Sequence, residues 1–284
     1  MAYNRSITIG EHGFVRFVDK MGDDAAIVQA ARVSYGAGTK SVREDAHLIN
    51  HLLRNGHTSP FEMVQLKLHI SCPIFEARQM VRHRTASWNE VSGRYSVMED
   101  KFWGPAAADL RAQSFKDKQS TEGSVEQAEE ASNTIATCNK EAYASYMKLL
   151  DLGVGREQAR AVLPLSLYTQ FYWRVDGNNL MKYLKLRDDH HAQHEIRETA
   201  KAIRLIATDL FPRMMEAYEE NVGGAAILTK TQLQAVEAML IQDHPSSWGV
   251  DKAMTHKMLH WNKQLSASVF NDLSQKLYGS AYGS

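Results

Sequence analysis

A strict alternation of apolar and polar side chains runs from residue 64 to residue 71 and permits only one regular conformation there. The apolar set is Val64, Leu66, Leu68 and Ile70, and the polar set is Gln65, Lys67, His69 and Ser71. Successive side chains of a strand point to opposite faces, so this pattern predicts a strand with one core face and one polar face. The aromatic, alternating run LSLYTQFYWRV, residues 165–175, predicts a second strand.

Helical periodicity fills much of the remaining chain. Ser41 and Glu44 have capping-box spacing and predict a helix from Val42 to Asn55, ended by Gly56. Pro73 suits the first turn of a helix in PIFEARQMVRHR, with an apolar stripe of Ile74, Ala77 and Val81. On that helix Arg78 and Arg82 would share a face.

Farther along, a long helix is expected from residue 125 to Gly153, followed by a shorter helix in GREQARAVLP. Helical periodicity returns over residues 178–211, with a break near Asp188 and an end at Pro212. The fold class is therefore α+β, with a mixed or antiparallel sheet packed against long helices.

Composition excludes several functions. The 33 Lys and Arg residues balance 33 Asp and Glu residues, which argues against a nucleic-acid partner. No apolar run approaches the roughly 20 residues that span a bilayer, so no membrane association is expected. Two cysteines, Cys72 and Cys138, and an N-terminus without signal-peptide character predict a cytoplasmic protein.

The segment RHRTASWNEVSGRYS, residues 82–96, concentrates positive charge in a neutral chain. Arg82, Arg84 and Arg94 are suited to a phosphate or carboxylate, because guanidinium groups bind these anions through paired hydrogen bonds. Gly93 would let backbone amides approach a phosphate. The alternative is a surface network in which these arginines pair with acidic neighbours. Those neighbours are Glu90, Glu99 and Asp100.

The order Arg82-His83-Arg84, seven residues, Ser92 resembles the signature of flavin-dependent thymidylate synthases, and NEVSGRYS resembles its continuation. Five further blocks resemble that family, in its order: AARVSY (30–35), GHTSPFE (56–62), PIFEARQ (73–79), ARAVLPLSLYTQFYW (159–173) and LKLRDDHHAQHEI (184–196). The resemblance covers about residues 1–220, the expected catalytic domain. Residues 221–284 are expected to be a helical C-terminal extension of unknown role.

This resemblance implies the family's fold and a homotetramer whose active sites combine residues of several subunits. It implies reductive methylation of dUMP to dTMP, with methylene-tetrahydrofolate as one-carbon donor and FAD, reduced by NADPH, as hydride carrier. The implied dUMP residues are Gln79, Arg82, Glu90, Ser92, Gly93, Arg94, Arg160 and Arg187. The implied FAD residues are Ser34, Ser59, Arg82, His83, Arg84, Glu90, Asp176, Asn178, Lys182 and His191.

Three residues are candidates for catalysis. Arg187 matches the family's arginine at the uracil ring, where a guanidinium would stabilise the N3 anion and the electron-rich enolate. His57 is similar to a histidine near the flavin and folate. Ser92 resembles a nucleophile, but the sequence shows no neighbouring base to activate it, so substrate binding is the role expected.

Two alternatives remain open. Asp176, Asn178 and Lys182 stand where the family usually has Asn, Arg and Asn, which allows a nucleotide-binding regulatory homologue that has lost flavin chemistry. HHAQHE would allow a zinc hydrolase if His190 and His194 shared a metal, but it lacks the HExxH order. No metal is expected, and these histidines are expected to act as hydrogen-bonding partners.

Overall fold

A computed structural model of the chain describes residues 6–33, 42–115 and 121–225. Over these residues, five strands form one sheet in the order β1-β2-β3-β7-β4, and every pairing is antiparallel. The strands are β1 Ser6–Ile9, β2 Gly13–Met21, β3 Gln65–Pro73, β4 Ser87–Glu90 and β7 Tyr168–Asp176. Strands β5 Ala112–Gln113 and β6 Thr121–Glu122 form a separate ribbon. The α+β class with an antiparallel sheet is thereby confirmed.

Eight α-helices surround the sheet in the described ranges. They are α1 Asp24–Arg32, α2 Val42–Arg54, α3 Ile74–Met80, α4 Ala128–Asp151, α5 Arg156–Ala159, α6 Gly177–Arg187, α7 His194–Leu210 and α8 Pro212–Tyr218. Short 3-10 turns occupy Ser59–Met63, Ala107–Asp109 and Arg160–Val162, and a π-helical turn occupies Glu219–Gly223. None of these helices is both long and apolar enough to cross a membrane.

The two alternating runs form the adjacent central strands β3 and β7, with Leu68 opposite Trp173. The apolar side chains of the first run are all buried, as predicted. Ser71, expected on the polar face, is buried as well, and its hydroxyl donates a hydrogen bond of 3.0 Å to the His12 carbonyl. Strand β7 starts at Tyr168, three residues later than predicted. Residues 165–167 form a turn whose carbonyls accept from the Ile74 and Phe75 amides.

Helices α6, α7 and α8 complete the core against the sheet. The buried side chains of α7 include Ile196, Ile203 and Ile206. Gly177 lies where β7 continues into α6, and a Cβ there would come within 2.7 Å of the Phe61 carbonyl oxygen. Only glycine permits this approach of the 59–63 turn to α6, so the turn and the helix hold a fixed relation.

The helix predicted from Pro73 through Arg84 is wrong in its extent. Pro73 is the last residue of β3 and the N-cap of α3, and the helix ends at Met80. Val81, expected on the apolar stripe, is 46% exposed, while Glu76 and Met80 are buried. The His83 amide bonds to the Met80 carbonyl in a turn, so Arg82 lies beyond the helix and off the face of Arg78.

Most other predicted helix ends agree with the structure, but α4 begins at Ala128 and the short helix predicted up to Pro164 is α-helical only over Arg156–Ala159. Ser41, the predicted cap of α2, lies outside the described residues. Gly56 ends the α2 region with a positive φ of 71°, the long α4 is followed by Gly153 with φ of 84°, and the break near Asp188 separates α6 from α7. Pro212 opens α8. The described residues all fall within one compact unit, which ends at Ala225. The predicted helical extension therefore lies almost wholly outside the described residues.

Candidate active site

One group of predicted site residues meets where α3 and α6 end. The Arg187 guanidinium donates from Nε to His83 Nε2 (3.1 Å), from Nη2 to the Gln79 carbonyl (3.3 Å) and from Nη1 to Gln79 Oε1 (3.4 Å). Gln79 also donates to Gln193 Oε1 at 2.6 Å. Residues assigned to dUMP and to flavin from the sequence thus form one hydrogen-bonded group, which we call the Arg187 cluster.

The protonation states of this cluster follow from its burial. Burial, followed by the charge of Arg187, lowers the pKa of His83 to about 4, so the ring is neutral at physiological pH. His83 Nε2 is then a hydrogen-bond acceptor for Arg187. Burial and the nearby Arg82 also lower the pKa of Arg187, although it stays a cation. No carboxylate of the described residues pairs with Arg187, which leaves its positive charge available to a ligand.

A second group, the Ser92 loop, joins residues 92–94 to the end of α5. The Ser92 hydroxyl accepts from the Arg94 amide at 3.3 Å. Gly93 is buried, and a Cβ there would lie 3.1 Å from Arg160 Cδ, so glycine allows the Arg160 stem to lie against the loop. Arg94 pairs with Glu157 through Nη2 at 3.1 Å, and both side chains are more than half exposed. Ser92, Gly93, Arg94 and Arg160 therefore lie together, as the dUMP assignment requires.

Glu90 has partners for both carboxylate oxygens. It accepts from the Thr169 hydroxyl at 2.5 Å and from the Trp88 indole at 3.3 Å. Glu99 pairs with Lys101. The acidic network proposed as an alternative from the sequence is therefore wrong for Arg94, whose partner is Glu157. Arg82 and Arg84 are exposed and pair with no acidic group of the described chain.

A cavity of about 430 Å³ opens beside Glu90 on the polar face of the sheet. Its lining includes Glu90, Ser96, Lys101, Gln170 and Tyr172. Small-molecule sites commonly have volumes of roughly 300–1,000 Å³. The cavity is therefore large enough for a nucleotide, and Glu90 is the residue assigned to dUMP that lines it.

A third set of flavin candidates lies near the start of α6. Asp176 is the N-cap of α6 and accepts from the Asn179 backbone amide at 2.9 Å and from its side chain at 2.7 Å. Asn178 is only 4% exposed and donates to Glu62 Oε1 at 3.0 Å. The contacts of both side chains are structural ones, and their assignment to flavin stays a prediction. Lys182 is exposed one turn later.

His57 and Ser59 are exposed at the 3-10 turn that precedes β3. His191, another residue assigned to the flavin, is exposed in the connection between α6 and α7. Its Nδ1 atom lies 2.8 Å from Asp189 Oδ1. Ser34 lies outside the described residues. These four assignments stay predictions.

The histidine pair considered for a metal is not brought together. In the described part of the chain, the three potential ligands that lie within 4.8 Å of one another are Asp189, His190 and His191, all exposed. His194 instead begins α7. The spacing of four residues between His190 and His194 does not place them on one helix, because the chain changes direction before His194.

Sequence reasoning missed two polar partners of the site. Gln193 bonds to Gln79, and Glu157 pairs with Arg94. Both residues lie inside or beside blocks that resemble the family, so their position in the sequence was a usable signal. Their specific partners depend on tertiary contacts that no local pattern reports.

Comparison with known proteins agrees with this geometry. The family model described as thymidylate synthase complementing protein matches residues 16–213. A flavin-dependent thymidylate synthase of Thermus thermophilus is 52% identical over 83% of this chain and 86% of its own length. The corresponding protein of Treponema denticola is 45% identical over 84% of this chain and 90% of its own length.

A solved structure is similar in fold as well. The UMP/dUMP methylase PolB of Streptomyces cacaoi, bound with 5-Br dUMP, has a TM-score of 0.68 and 33% identity, covering 73% of this chain and 95% of that one. Sequence and fold therefore agree over the unit that carries the Arg187 cluster and the Ser92 loop. The chain belongs to the thymidylate synthase complementing protein family, that of the flavin-dependent thymidylate synthases.

Proposed function

We propose that this chain is an enzyme that methylates dUMP reductively to dTMP, using methylene-tetrahydrofolate, FAD and NADPH. The observation that carries the proposal is the Arg187 guanidinium, which neutral His83 and Gln79 hold in a half-buried position without a paired carboxylate in the described chain. An unneutralised cation in a fixed position suits a substrate that develops negative charge during the reaction.

In this mechanism Arg187 acts on the uracil ring. Methylation requires C5 of uracil to become nucleophilic, and that occurs as negative charge develops on the N3 and O4 side of the ring. A guanidinium beside these atoms stabilises the charged form and lowers its free energy relative to the neutral ring. His83 and Gln79 are positioning residues, because they fix the plane of the guanidinium through three hydrogen bonds.

The Ser92 loop supplies the phosphate clamp. Arg94 and Arg160 provide guanidinium donors, and Ser92 and Gly93 provide a hydroxyl and close backbone access. Glu157 pairs with Arg94 at 3.1 Å. An incoming phosphate would compete with this carboxylate for Arg94, and both groups are exposed enough for the exchange to be rapid.

The donor set also fits FAD. Arg82 and Arg84 are exposed cations without an acidic partner in the described ranges, which suits a pyrophosphate. We assign FAD to these residues together with Ser34, Ser59, His83, Glu90, Lys182 and His191, and we place His57 near the flavin and folate. When bound, the flavin supplies hydride transfer, which no side chain performs. The chain itself contributes position, charge and exclusion of water.

The active site is proposed to form between subunits of a homotetramer. No hydrogen bond or ion pair among the described residues joins the Arg187 cluster to the Ser92 loop, although both are assigned to one nucleotide. Two inactive variants, Arg187→Ala and Arg160→Ala, should therefore regain part of the activity when their subunits are mixed. Absence of any recovery in a demonstrated mixed oligomer would contradict sharing. The two free cysteines support placing the enzyme in a reducing cytoplasm.

The test that separates the enzyme from a regulatory homologue is an absorbance spectrum. We expect the purified protein to take up added FAD and to lose its flavin absorbance with NADPH under anaerobic conditions. Addition of dUMP should change the rate of this flavin reduction. Binding of dUMP with no uptake of FAD would instead support the regulatory homologue. That homologue rests on Asp176 and Asn178, whose side chains make structural contacts.

A further inference from the structure

A second cavity, of about 220 Å³, shares no lining residue with the Arg187 cluster or the Ser92 loop. Its walls come from the β1–β2 turn, the end of β3, the first turn of α3, residues 102–106 and the first two turns of α7. None of the residues assigned above to dUMP, FAD or catalysis lines it. The cavity therefore requires its own explanation.

The buried carboxyl group of this cavity belongs to Glu76. The residue is 2% exposed, and its Oε1 has no hydrogen-bond partner among the described residues. The carboxylate accepts a hydrogen bond from Thr199 on α7. A buried carboxylate oxygen without a donor is unfavourable, so a ligand that donates a hydrogen bond to Glu76 Oε1 would be stabilised at this site.

The surroundings of Glu76 favour a positively charged donor. Four more acidic residues line the cavity, and no Lys or Arg does. The acidic residues are Glu11, Asp109, Glu195 and Glu198. Three of them have neighbours of their own: His12 lies near Glu11, Gln193 donates to Glu195 and Lys201 pairs with Glu198. Glu76 Oε1 is thus a buried acceptor without a partner among the described residues, and it lies in a region of negative potential.

The aromatic residues of the cavity also favour a positively charged ligand. Phe102, Trp103 and Tyr168 also line the cavity. Aromatic faces attract organic cations through their quadrupole, and this attraction strengthens where water is excluded. This combination suits an alkylammonium ion, because the carboxylates can bind its charged ammonium group and the aromatic rings can contact its apolar carbons.

The dimensions argue against a bare metal ion. A Ca²⁺ ion needs oxygen ligands at about 2.3–2.6 Å, which brings those ligands close together. Among the described residues, the acidic groups of this cavity do not form a set of three within 4.8 Å, whereas Asp189, His190 and His191 do. The acidic groups are spread around a volume that fits a polyatomic ligand.

We infer that this cavity binds a small organic amine, a primary amine or short diamine, whose ammonium group donates to Glu76 Oε1. The aromatic walls contact its carbons, and the outer carboxylates hold a second ammonium group if one is present. This inference does not depend on the proposed dUMP chemistry. Its test uses binding alone.

Binding should depend on pH. Burial raises the pKa of Glu76 to about 7, with Glu195 raising it further and Thr199 lowering it. An ammonium ion favours the ionised carboxylate, so affinity should rise between about pH 6 and pH 8 and binding should release protons near pH 7. The other titratable groups facing this cavity are Cys72, Tyr168, His194, Glu11, Asp109, Glu195 and Glu198. Burial also raises the pKa of Cys72 and of Tyr168, so neither competes in this range.

The experiment is calorimetric titration of the full chain with 1,4-diaminobutane at pH 6 and pH 8. The neutral 1,4-butanediol and MgCl₂ serve as comparison probes. Glu76→Gln, which keeps the side-chain size, should weaken diamine binding by about tenfold or more. Glu126→Gln, the same change at an exposed position outside the cavity, should leave binding unchanged.

A second readout guards against a folding defect in the variant. Titration in two buffers of different ionisation enthalpy should show proton release near pH 7 in the wild type and none in Glu76→Gln. The inference would be overturned by equal binding to the Glu76→Gln variant. It would equally be overturned by equal affinity for the diol, by tighter binding of Mg²⁺, or by no heat of diamine binding to the wild type.

Discussion

At the scale of single residues, the hydrogen bonds of Arg187 hold its guanidinium in place without neutralising its charge. Its three hydrogen bonds run to a neutral histidine and to Gln79, and none is an ion pair. A carboxylate in the same position would neutralise the guanidinium and weaken its effect on a substrate anion. In the proposed mechanism, the neutral state of His83, caused mainly by burial, leaves the positive charge of Arg187 available to the substrate.

Arg187→Ala should reduce kcat more than it weakens dUMP binding, because the guanidinium is most needed when charge develops on the ring. We expect a loss of about 100-fold or more in kcat, the size associated with a lost group that stabilises an anion. Steady-state kinetics together with equilibrium dUMP titration measures both terms. A loss confined to dUMP affinity would refute the assignment, and Arg78→Ala, an exposed arginine on α3, is the matched control.

Arg94 and Glu157 give a paired prediction for the phosphate clamp. Arg94→Ala should weaken dUMP binding by about tenfold through loss of one charge-assisted contact. Glu157→Gln should leave affinity unchanged or strengthen it, because it removes the competing carboxylate from Arg94. Titration with dUMP and with deoxyuridine checks the cause. If Arg94→Ala weakened both ligands equally, the contact would not be to phosphate.

At the scale of elements, the sequence predicted those strands and helix ends that depend on neighbouring residues alone. The alternation of residues 64–71 and the glycine at position 56 are sufficient for β3 and for the end of α2. The family blocks gave the predicted site residues, and the structure brings three of them, Gln79, His83 and Arg187, together; their roles stay predictions.

Tertiary contacts decided the rest. The chain turns at Val81 although the apolar spacing continues, since Met80, not Val81, fills the core. The burial of Glu76 could not be predicted from the local sequence either, because Glu76 is hydrogen-bonded to Thr199, more than 100 positions later in the chain. Asp176 became a helix cap because β7 passes directly into α6 at Gly177.

Asp176 allows a test of cap against cofactor contact. Asp176→Ala should lower the free energy of unfolding by about 1 kcal/mol, since α6 loses its N-cap acceptor. Asp176→Asn keeps an acceptor and should lose only a fraction of that stability. Urea unfolding measures the difference. If FAD affinity fell in the stable Asn variant, the carboxylate would contact the flavin after all.

Glu76 makes the packing of α3 against α7 dependent on pH. Its pKa rises from 4.5 to about 7 in the fold, so the folded chain keeps a proton that the unfolded chain loses between these values. Stability contributed by this group is present at pH 4.5 and is lost as pH rises through 7. Glu76→Gln should be more stable than the wild type at pH 8, by on the order of 3 kcal/mol, and nearly equal at pH 5.

Thermal or urea unfolding at the two pH values checks this prediction. Glu126→Gln, with an exposed carboxylate, should show no such difference between pH 5 and pH 8. A Glu76→Gln variant whose stability relative to the wild type does not change with pH would show that this carboxyl group does not titrate between 4.5 and 7.

At the scale of the whole molecule, the described unit carries its ligand groups in separate places. The Arg187 cluster lies at the ends of α3 and α6, while the Ser92 loop lies at the ends of β4 and α5. A formal net charge of zero means that binding relies on these local concentrations of arginine and not on a global field. In the proposed function, one nucleotide and one flavin would bind at these two groups of residues.

The most direct test of this account is dTMP formation by the purified full chain, supplied with dUMP, methylene-tetrahydrofolate, FAD and NADPH under anaerobic conditions. We predict dTMP that requires each of the four components and that falls by about 100-fold in Arg187→Ala. Folded, flavin-loaded protein that forms no dTMP, or that forms it equally well without Arg187, would contradict the account.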